Sequence, residues 1–267
     1  MEQKFIDLYD EYTHKPLTRE EFISRLTRLS GSVSAAMVLL PMLEVNFAQA
    51  ATVNPQDDRI MTERVTYQGD GVEMKAYLAI PKAGKRKAAV MVIHENRGLN
   101  AHIEDVTRRV ALAGFIGFAP DALSPFGGAP ADADQARELF TKLDAQKNLN
   151  NFLLGFEYLK SRRDCNEKFG CIGFCWGGAL ANQLAVHSPD LKAAVSFYGR
   201  QPEASDVPKI KSALQLHYAG TDERINSGIA GYESALKAAG KEYELYMYDG
   251  TQHAFHNDTA PTRYNEA

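Results

Sequence analysis

Cysteine is scarce in this chain: three among 267 residues, Cys165, Cys171 and Cys175, all within eleven positions. An odd, clustered set builds no disulfide framework and suits a reducing compartment. No C-x-x-C pair and no cysteine–histidine spacing of the zinc type occurs, which removes the common structural metal sites. Charge of one sign is also missing. The net charge is −4, with acidic and basic residues interspersed and no tail of either. That gives no electrostatic ground for a nucleic acid or an anionic membrane as partner. The most apolar run, Ser32 to Leu40, stops at Pro41 and is too short to span a bilayer. No internal repeat or low-complexity tract interrupts the rest. What is present is an ordinary globular composition, 45% hydrophobic and 24% charged, on a chain long enough for one large α/β domain.

Residues 1–54 separate from the remainder. Thr18-Arg19-Glu20-Glu21 fits a capping box ahead of the apolar Phe22, Ile23, Leu26 and Leu29. Ala48-Gln49-Ala50 has the small-residue form of a signal cleavage site. Against a working signal stand Glu20 and Glu21, and the pair Arg19-Glu20 where a twin-arginine signal places two arginines. The segment reads as a degenerate leader kept as an N-terminal helical arm, which places the chain in the cytoplasm. A functional leader would place it in the periplasm. Exposed Phe22, Leu26 and Met37 on such an arm would suit a second subunit, giving a homodimer through the arm.

Residues 55–267 read as one further domain. Pro55 to Arg59 is a polar linker. Arg64–Gln68 and Glu73–Ile80 are two strands joined by the turn Gly69-Asp70-Gly71. Ala88–His94 is a continuous apolar strand of the parallel-sheet type. Asn100 can cap a helix reaching Ala113. Strands then recur near Phe115–Ala119, Lys168–Ile172, Ala193–Tyr198, Ala213–Tyr218 and Glu242–Tyr248. Helical stretches alternate with them, 131–162 in one or two pieces. This order predicts a doubly wound, mostly parallel α/β sheet. Ligands of such sheets bind beyond the carboxyl ends of the strands.

Three strand ends carry reactive side chains in one chemical order. Gly173-Phe174-Cys175-Trp176-Gly177 joins a strand to a helix in the G-x-nucleophile-x-G form of a nucleophile elbow, with Cys as nucleophile. The helix N-terminus behind Cys175 favours a thiolate. Asp222 or its neighbour Glu223 follows the strand ending at Tyr218. His253 follows the last strand. Nucleophile, acid and histidine in that order, each gap holding one β/α unit, make a triad. The oxyanion donors expected are the backbone N–H groups of Trp176 and Asn96. Glu95, in His94-Glu95-Asn96-Arg97, is an ionisable group at the end of a buried strand. It either competes for the histidine and holds the thiol proton, or pairs with Arg97. His94, His253 and His256 do not make a metal site, because His253-x-x-His256 lies in a loop. No cofactor is expected.

With Cys at the elbow and Glu95 after the third strand, the chain from about Arg64 to Asn257 resembles the dienelactone hydrolase (carboxymethylenebutenolidase) family. The specific motifs are Gly173-Phe174-Cys175-Trp176-Gly177-Gly178, Glu95-x-x-Gly98-Leu99-Asn100, Gly220-Thr221-Asp222 and His253-Ala254-Phe255. The resemblance implies the α/β-hydrolase fold, a Cys175–His253–Asp222 triad with Asp222 preferred over Glu223, and a resting Cys175 hydrogen-bonded to Glu95. The leader resembles the degraded twin-arginine leader of some longer members. The family's dienelactone enzyme has an arginine a few residues after the catalytic histidine, to bind the substrate carboxylate. Here that stretch is His253-Ala254-Phe255-His256-Asn257. Arg137 loosely matches a second carboxylate-binding arginine. Arg137, Tyr198 and His256 are the candidate substrate-binding residues. The reading is a hydrolase of a small-molecule ester or lactone acting through a thioester. Acyl transfer or amide hydrolysis on the same triad, or a non-catalytic binding member, are the alternatives.

Overall fold

Among the described residues, eight strands form one sheet. They are β1 (Ile60–Gln68), β2 (Glu73–Pro81), β3 (Lys87–Ile93), β4 (Ile116–Pro120), β5 (Cys165–Phe174), β6 (Leu191–Phe197), β7 (Ala213–Ala219) and β8 (Tyr243–Tyr248). Their order is β1-β2-β4-β3-β5-β6-β7-β8. The structure, a computed structural model, describes residues 2–14, 17–43, 52–260 and 262–266. The signal-like Ala48-Gln49-Ala50 lies outside the described residues.

β1 and β2 pair antiparallel through the expected turn, where Gly69 N–H donates to Val72 O at 2.8 Å and Gly71 has φ +74°. β2 also meets β4 antiparallel, and every later pairing, from β3–β4 to β7–β8, is parallel. The sheet is therefore mostly parallel and is covered on both faces. α4 (Ala101–Leu112) covers one face over Val92, Ala119 and Phe174. α6 (Ala145–Ser161), α7 (Trp176–His187) and α9 (Ile229–Ala238) cover the other, over Met91, Phe118 and Leu216. Asn100 caps α4 as its position predicts, accepting from Ile103 N–H at 3.2 Å. The long helical stretch splits into α5 (Ala133–Phe140) and α6. Asp132 and Asp144 each take an N-cap position and bond the backbone of the following turn. A short α8 (Glu223–Asn226) follows β7.

The N-terminal arm is three helices with a core of its own: α1 (Gln3–His14), α2 (Arg19–Ser30) and α3 (Val33–Leu43). The capping box forms in full between Thr18 and Glu21. Phe22 and Leu26 were expected at a subunit contact, but both are wholly buried in this core. Phe22 stacks on Tyr12 at 4.4 Å, and Leu26 packs in the same cluster as Tyr9 and Leu40. Only Met37 of the three faces outward, beside Val33 and Val38. Pro41 does not stop the helix as expected; it sits inside α3. It falls in the last turn, where the hydrogen bond lost to its missing N–H interrupts little of the ladder. No single helix among the described residues is long and apolar enough to cross a membrane. α2 and α3 reach that length and composition only as a pair bent by 115°.

Candidate functional site

β5 delivers Cys175 to the carboxyl edge of the sheet, and the turn there explains the two glycines around it. A Cβ on Gly173 would lie 2.0 Å from Gly177 O, and one on Gly177 would lie 2.4 Å from Ile93 O. Cys175 itself has φ +55°, ψ −114°, a conformation that costs an L-residue energy and holds its side chain up at the start of α7. Its N–H is tied to Phe197 O at 3.0 Å. Among the described residues, four non-glycine residues have positive φ: Cys175, Tyr198, Ala254 and Glu167. The first three surround this one centre, so the backbone strain is concentrated there.

Asp222 caps α8 after β7, and His253 follows β8. His253 Nδ1 and Asp222 Oδ2 are 2.5 Å apart, both groups buried. Cys175 and the same imidazole border one cavity. Burial opposes a charge on His253, yet Cys175 and the Asp222 carboxylate outweigh it and push the ring up to about 10. Burial likewise works against the Asp222 carboxylate, and the hydrogen bond from His253 overcomes it and lowers its pKa. Cys175, His253 and Asp222 are thus brought together at one edge of the sheet. Glu223 lies exposed in the first turn of α8.

Glu95 borders the same cavity as Cys175 and His253. Its Oε1 accepts from the Tyr198 hydroxyl at 3.4 Å and its Oε2 from Asn257 Nδ2 at 2.9 Å. Arg97 donates instead to Asn96 O and Oδ1, so the Glu95–Arg97 pair weighed from the sequence does not form. Burial, then Glu95 and Cys175, raise the Tyr198 hydroxyl well above its ordinary value, which keeps it a donor. Trp176 opens α7, so its N–H is one of those left without an intrahelical acceptor. Its ring stacks on His94 at 5.5 Å. Asn96 stands across the cavity, its side chain donating to Thr13 O at 2.8 Å.

Of the expected substrate-binding residues, Arg137 and Tyr198 border the larger cavity at Cys175 and His256 does not. Arg137 is held by the arm: its guanidinium lies 4.1 Å over the Tyr12 ring and donates to the Leu17 carbonyl at 3.1 Å and to the Tyr12 carbonyl. Its fork bonds arm carbonyls at the border of that cavity. His256 borders neither cavity at Cys175. It packs between Phe174 and Phe197, at 4.6 and 4.8 Å, and burial with nearby His102 and Arg109 lowers it to about 4. Tyr198 does border a cavity at Cys175. Sequence reasoning missed Arg263 and Asn257. Arg263, buried and lying 5.4 Å over the Tyr9 ring, borders the cavity of Glu95 and Cys175. Among the described residues no group of three His, Cys, Asp or Glu side chains is arranged for a metal.

The model of the dienelactone hydrolase family matches residues 74–267. The chain belongs to the dienelactone hydrolase family. A Saccharolobus solfataricus protein named "Putative carboxymethylenebutenolidase" is 30% identical over 245 residues, 78% of this chain and 93% of that one. The crystal structure titled "Putative Dienelactone Hydrolase" from Klebsiella pneumoniae superposes with TM-score 0.70 at 27% identity, covering 78% of this chain and 92% of the other. Dienelactone hydrolase from Anabaena variabilis, at 23% identity and TM-score 0.61 over 76% and 93% of the two chains, shares the fold. This dienelactone hydrolase family member therefore has the α/β-hydrolase fold and is a carboxylic ester hydrolase.

Proposed function

We propose that the chain cleaves a small-molecule ester or lactone through a Cys175–His253–Asp222 triad and a thioester. His253 takes the thiol proton, and the Cys175 sulfur attacks the carbonyl carbon. The N–H groups of Trp176 and Asn96 are the donors for the oxyanion that forms. As the tetrahedral adduct collapses, His253 gives its proton to the departing alkoxide and the thioester remains. A water molecule then loses a proton to His253 and attacks the thioester. The carboxylic acid leaves and the proton returns to sulfur. Asp222 fixes the Nδ1–H tautomer and supports the imidazolium throughout. In a lactone the leaving oxygen stays tethered to the acyl chain, so hydrolysis of the thioester releases a single hydroxy acid.

The observation that supports this reading is the buried 2.5 Å contact between the Asp222 carboxylate and the His253 ring, in a cavity that Cys175 also borders. Hydrolysis of short p-nitrophenyl esters, with mass-spectrometric capture of the acyl-enzyme, tests it. The reading expects turnover and a Cys175 acyl adduct in the wild type and neither in Cys175→Ala. Turnover that survives in Cys175→Ala overturns it.

A further inference from the structure

Two cavities, of about 470 and 960 Å³, meet at Cys175 and His253. Besides that pair, four residues border both: Thr13, Arg19, Asn96 and Asp134. These four are joined in two crosslinks. Asn96 Nδ2 donates to Thr13 O at 2.8 Å, and Arg19 Nη1 meets Asp134 Oδ2 at 2.7 Å. In each crosslink one member belongs to the N-terminal arm and the other to the catalytic domain. The Tyr12 hydroxyl, raised to about 12 chiefly by burial and so kept as a donor, reinforces the second by bonding Asp134. Arg137 clamps the intervening arm carbonyls.

The chambers on either side differ in chemistry. The smaller is edged by Tyr12, Glu95, Arg97 and Arg263. The larger is walled by Leu17, Phe140, Trp176 and Ile225, with Arg200 and Arg224 exposed at its border. Its volume is at the upper end of sites that enclose drug-sized ligands, about 300–1,000 Å³. The arm residues Thr13 and Arg19 border both cavities, which share Cys175 and His253.

We propose that the arm is the specificity-determining wall of this site, its Arg19–Asp134 and Thr13–Asn96 crosslinks partitioning the substrate. The substrate class is an ester or lactone with one small polar half, seated by the smaller chamber, and one apolar half of medium-chain or aryl size, seated by the larger. This rests on the hydrolase reading above. The arm chooses the substrate by shape, and the triad acts on whatever spans the partition.

The test compares Arg19→Gln and Asp134→Ala, which break one crosslink from opposite sides, with the wild type. The first readout is the ratio of kcat/KM for p-nitrophenyl octanoate to that for p-nitrophenyl acetate. The wild type is expected to favour octanoate. Both variants are expected to change the ratio in the same direction by about fivefold or more, within the range by which an apolar pocket discriminates substrates. A purely structural role would lower both substrates alike and leave the ratio within twofold, which overturns the proposal. The second readout needs no turnover: the rate of Cys175 labelling by N-cyclohexylmaleimide relative to N-ethylmaleimide. If no ester is cleaved yet the labelling ratio moves in both variants, the partition stands and the hydrolase reading falls. If the labelling ratio is the same in all three proteins, the partition falls whatever the turnover.

Discussion

The ends of β3 and β8 each carry a buried histidine, and the two are opposites. His94 has both ring nitrogens matched to the backbone: Nδ1–H donates to Glu95 O at 2.6 Å, and Nε2 accepts from Ala122 N–H at 3.1 Å. No carboxylate touches it closely, Asp121 being 4.0 Å away, and burial pulls its pKa down. His253 is as deeply enclosed, but the Asp222 carboxylate grips one side, and Cys175 with that carboxylate pushes its pKa up to about 10. Burial alone makes a neutral, structural imidazole. Burial with a fixed acid and a nearby sulfur instead favours the charged ring. Both residues follow strands at the carboxyl edge of the sheet, so the contacts are what separate them.

The sharpest way to break the comparison is to delete each ring. His253→Ala is expected to lower kcat by roughly 10³-fold or more with the fold intact. His94→Ala is expected to cost about 2–4 kcal/mol of stability, because it strands a buried N–H and opens a cavity under Trp176, and to lower kcat less than tenfold. Steady-state ester hydrolysis and urea unfolding of the two variants decide. Asp222→Ala belongs with His253→Ala; if Glu223→Ala takes its place, the acid is wrongly assigned.

Carried over to sulfur, the comparison sets Cys175 against Cys171 on the same strand and its turn. Cys171 is buried with no charged partner, and burial pushes its thiol well up. Desolvation also raises Cys165. Iodoacetamide should therefore modify Cys175 on the order of 10²-fold faster than either. Peptide mapping of the native protein reads this directly, and equal labelling of the three removes Cys175 as nucleophile.

The two histidines also predict opposite pH signatures. A depressed pKa means that the unfolded chain takes up a proton before folded His94 does. His94 therefore takes stability away as pH falls below about 6.5. A raised pKa means that His253 contributes stability fully below about 6.5, and that this is lost as pH rises toward about 10. Each ring gives at most about 1.4 kcal/mol per pH unit. Urea midpoints measured from pH 5 to 10 should lose the acid-side decline in His94→Gln and the alkaline-side decline in His253→Gln. The same limb lost in both variants would refute the contrast.

Much of this centre was legible from single positions. The elbow glycines and Asn100 announce themselves, because a tight turn or a helix cap constrains one residue at a time. The sheet followed from the alternation of apolar runs. What was not legible depends on where distant segments land. The amphipathic pattern of α2 marks Phe22 and Leu26 for burial but does not say against what, and the arm uses them for its own core. Arg137 borders the larger cavity, but its own stretch of sequence does not show that arm carbonyls meet its guanidinium there. Arg263 lies ten positions beyond His253 but returns to the cavity, because the intervening chain turns at Ala254, with φ +69°, and again where Asn257 N–H bonds Ala254 O. Spacing along the sequence carries no trace of that return.

The smallest expected effect concerns Glu95, which links the two histidine stations. It follows His94 in the chain, and its Oε2 holds Asn257 of the His253 loop at 2.9 Å while its Oε1 faces Tyr198. A carboxylate beside a thiol opposes formation of a second negative charge there. Glu95→Gln removes that charge and leaves one acceptor in place. Iodoacetamide should then modify Cys175 severalfold faster near pH 7, with easier oxidation of the sulfur as a side effect. Ester turnover need not rise with it, since Glu95 also positions Tyr198 and Asn257. Tyr198→Phe separates the two roles: it removes the hydroxyl contact and keeps the charge, so it should not speed alkylation. The measurement is the pH dependence of Cys175 alkylation in wild type, Glu95→Gln and Tyr198→Phe. If Glu95→Gln reacts at the same or a higher pH than wild type, the carboxylate serves only as an acceptor for its two neighbours. The control of the nucleophile would then rest with His253 and Asp222 alone.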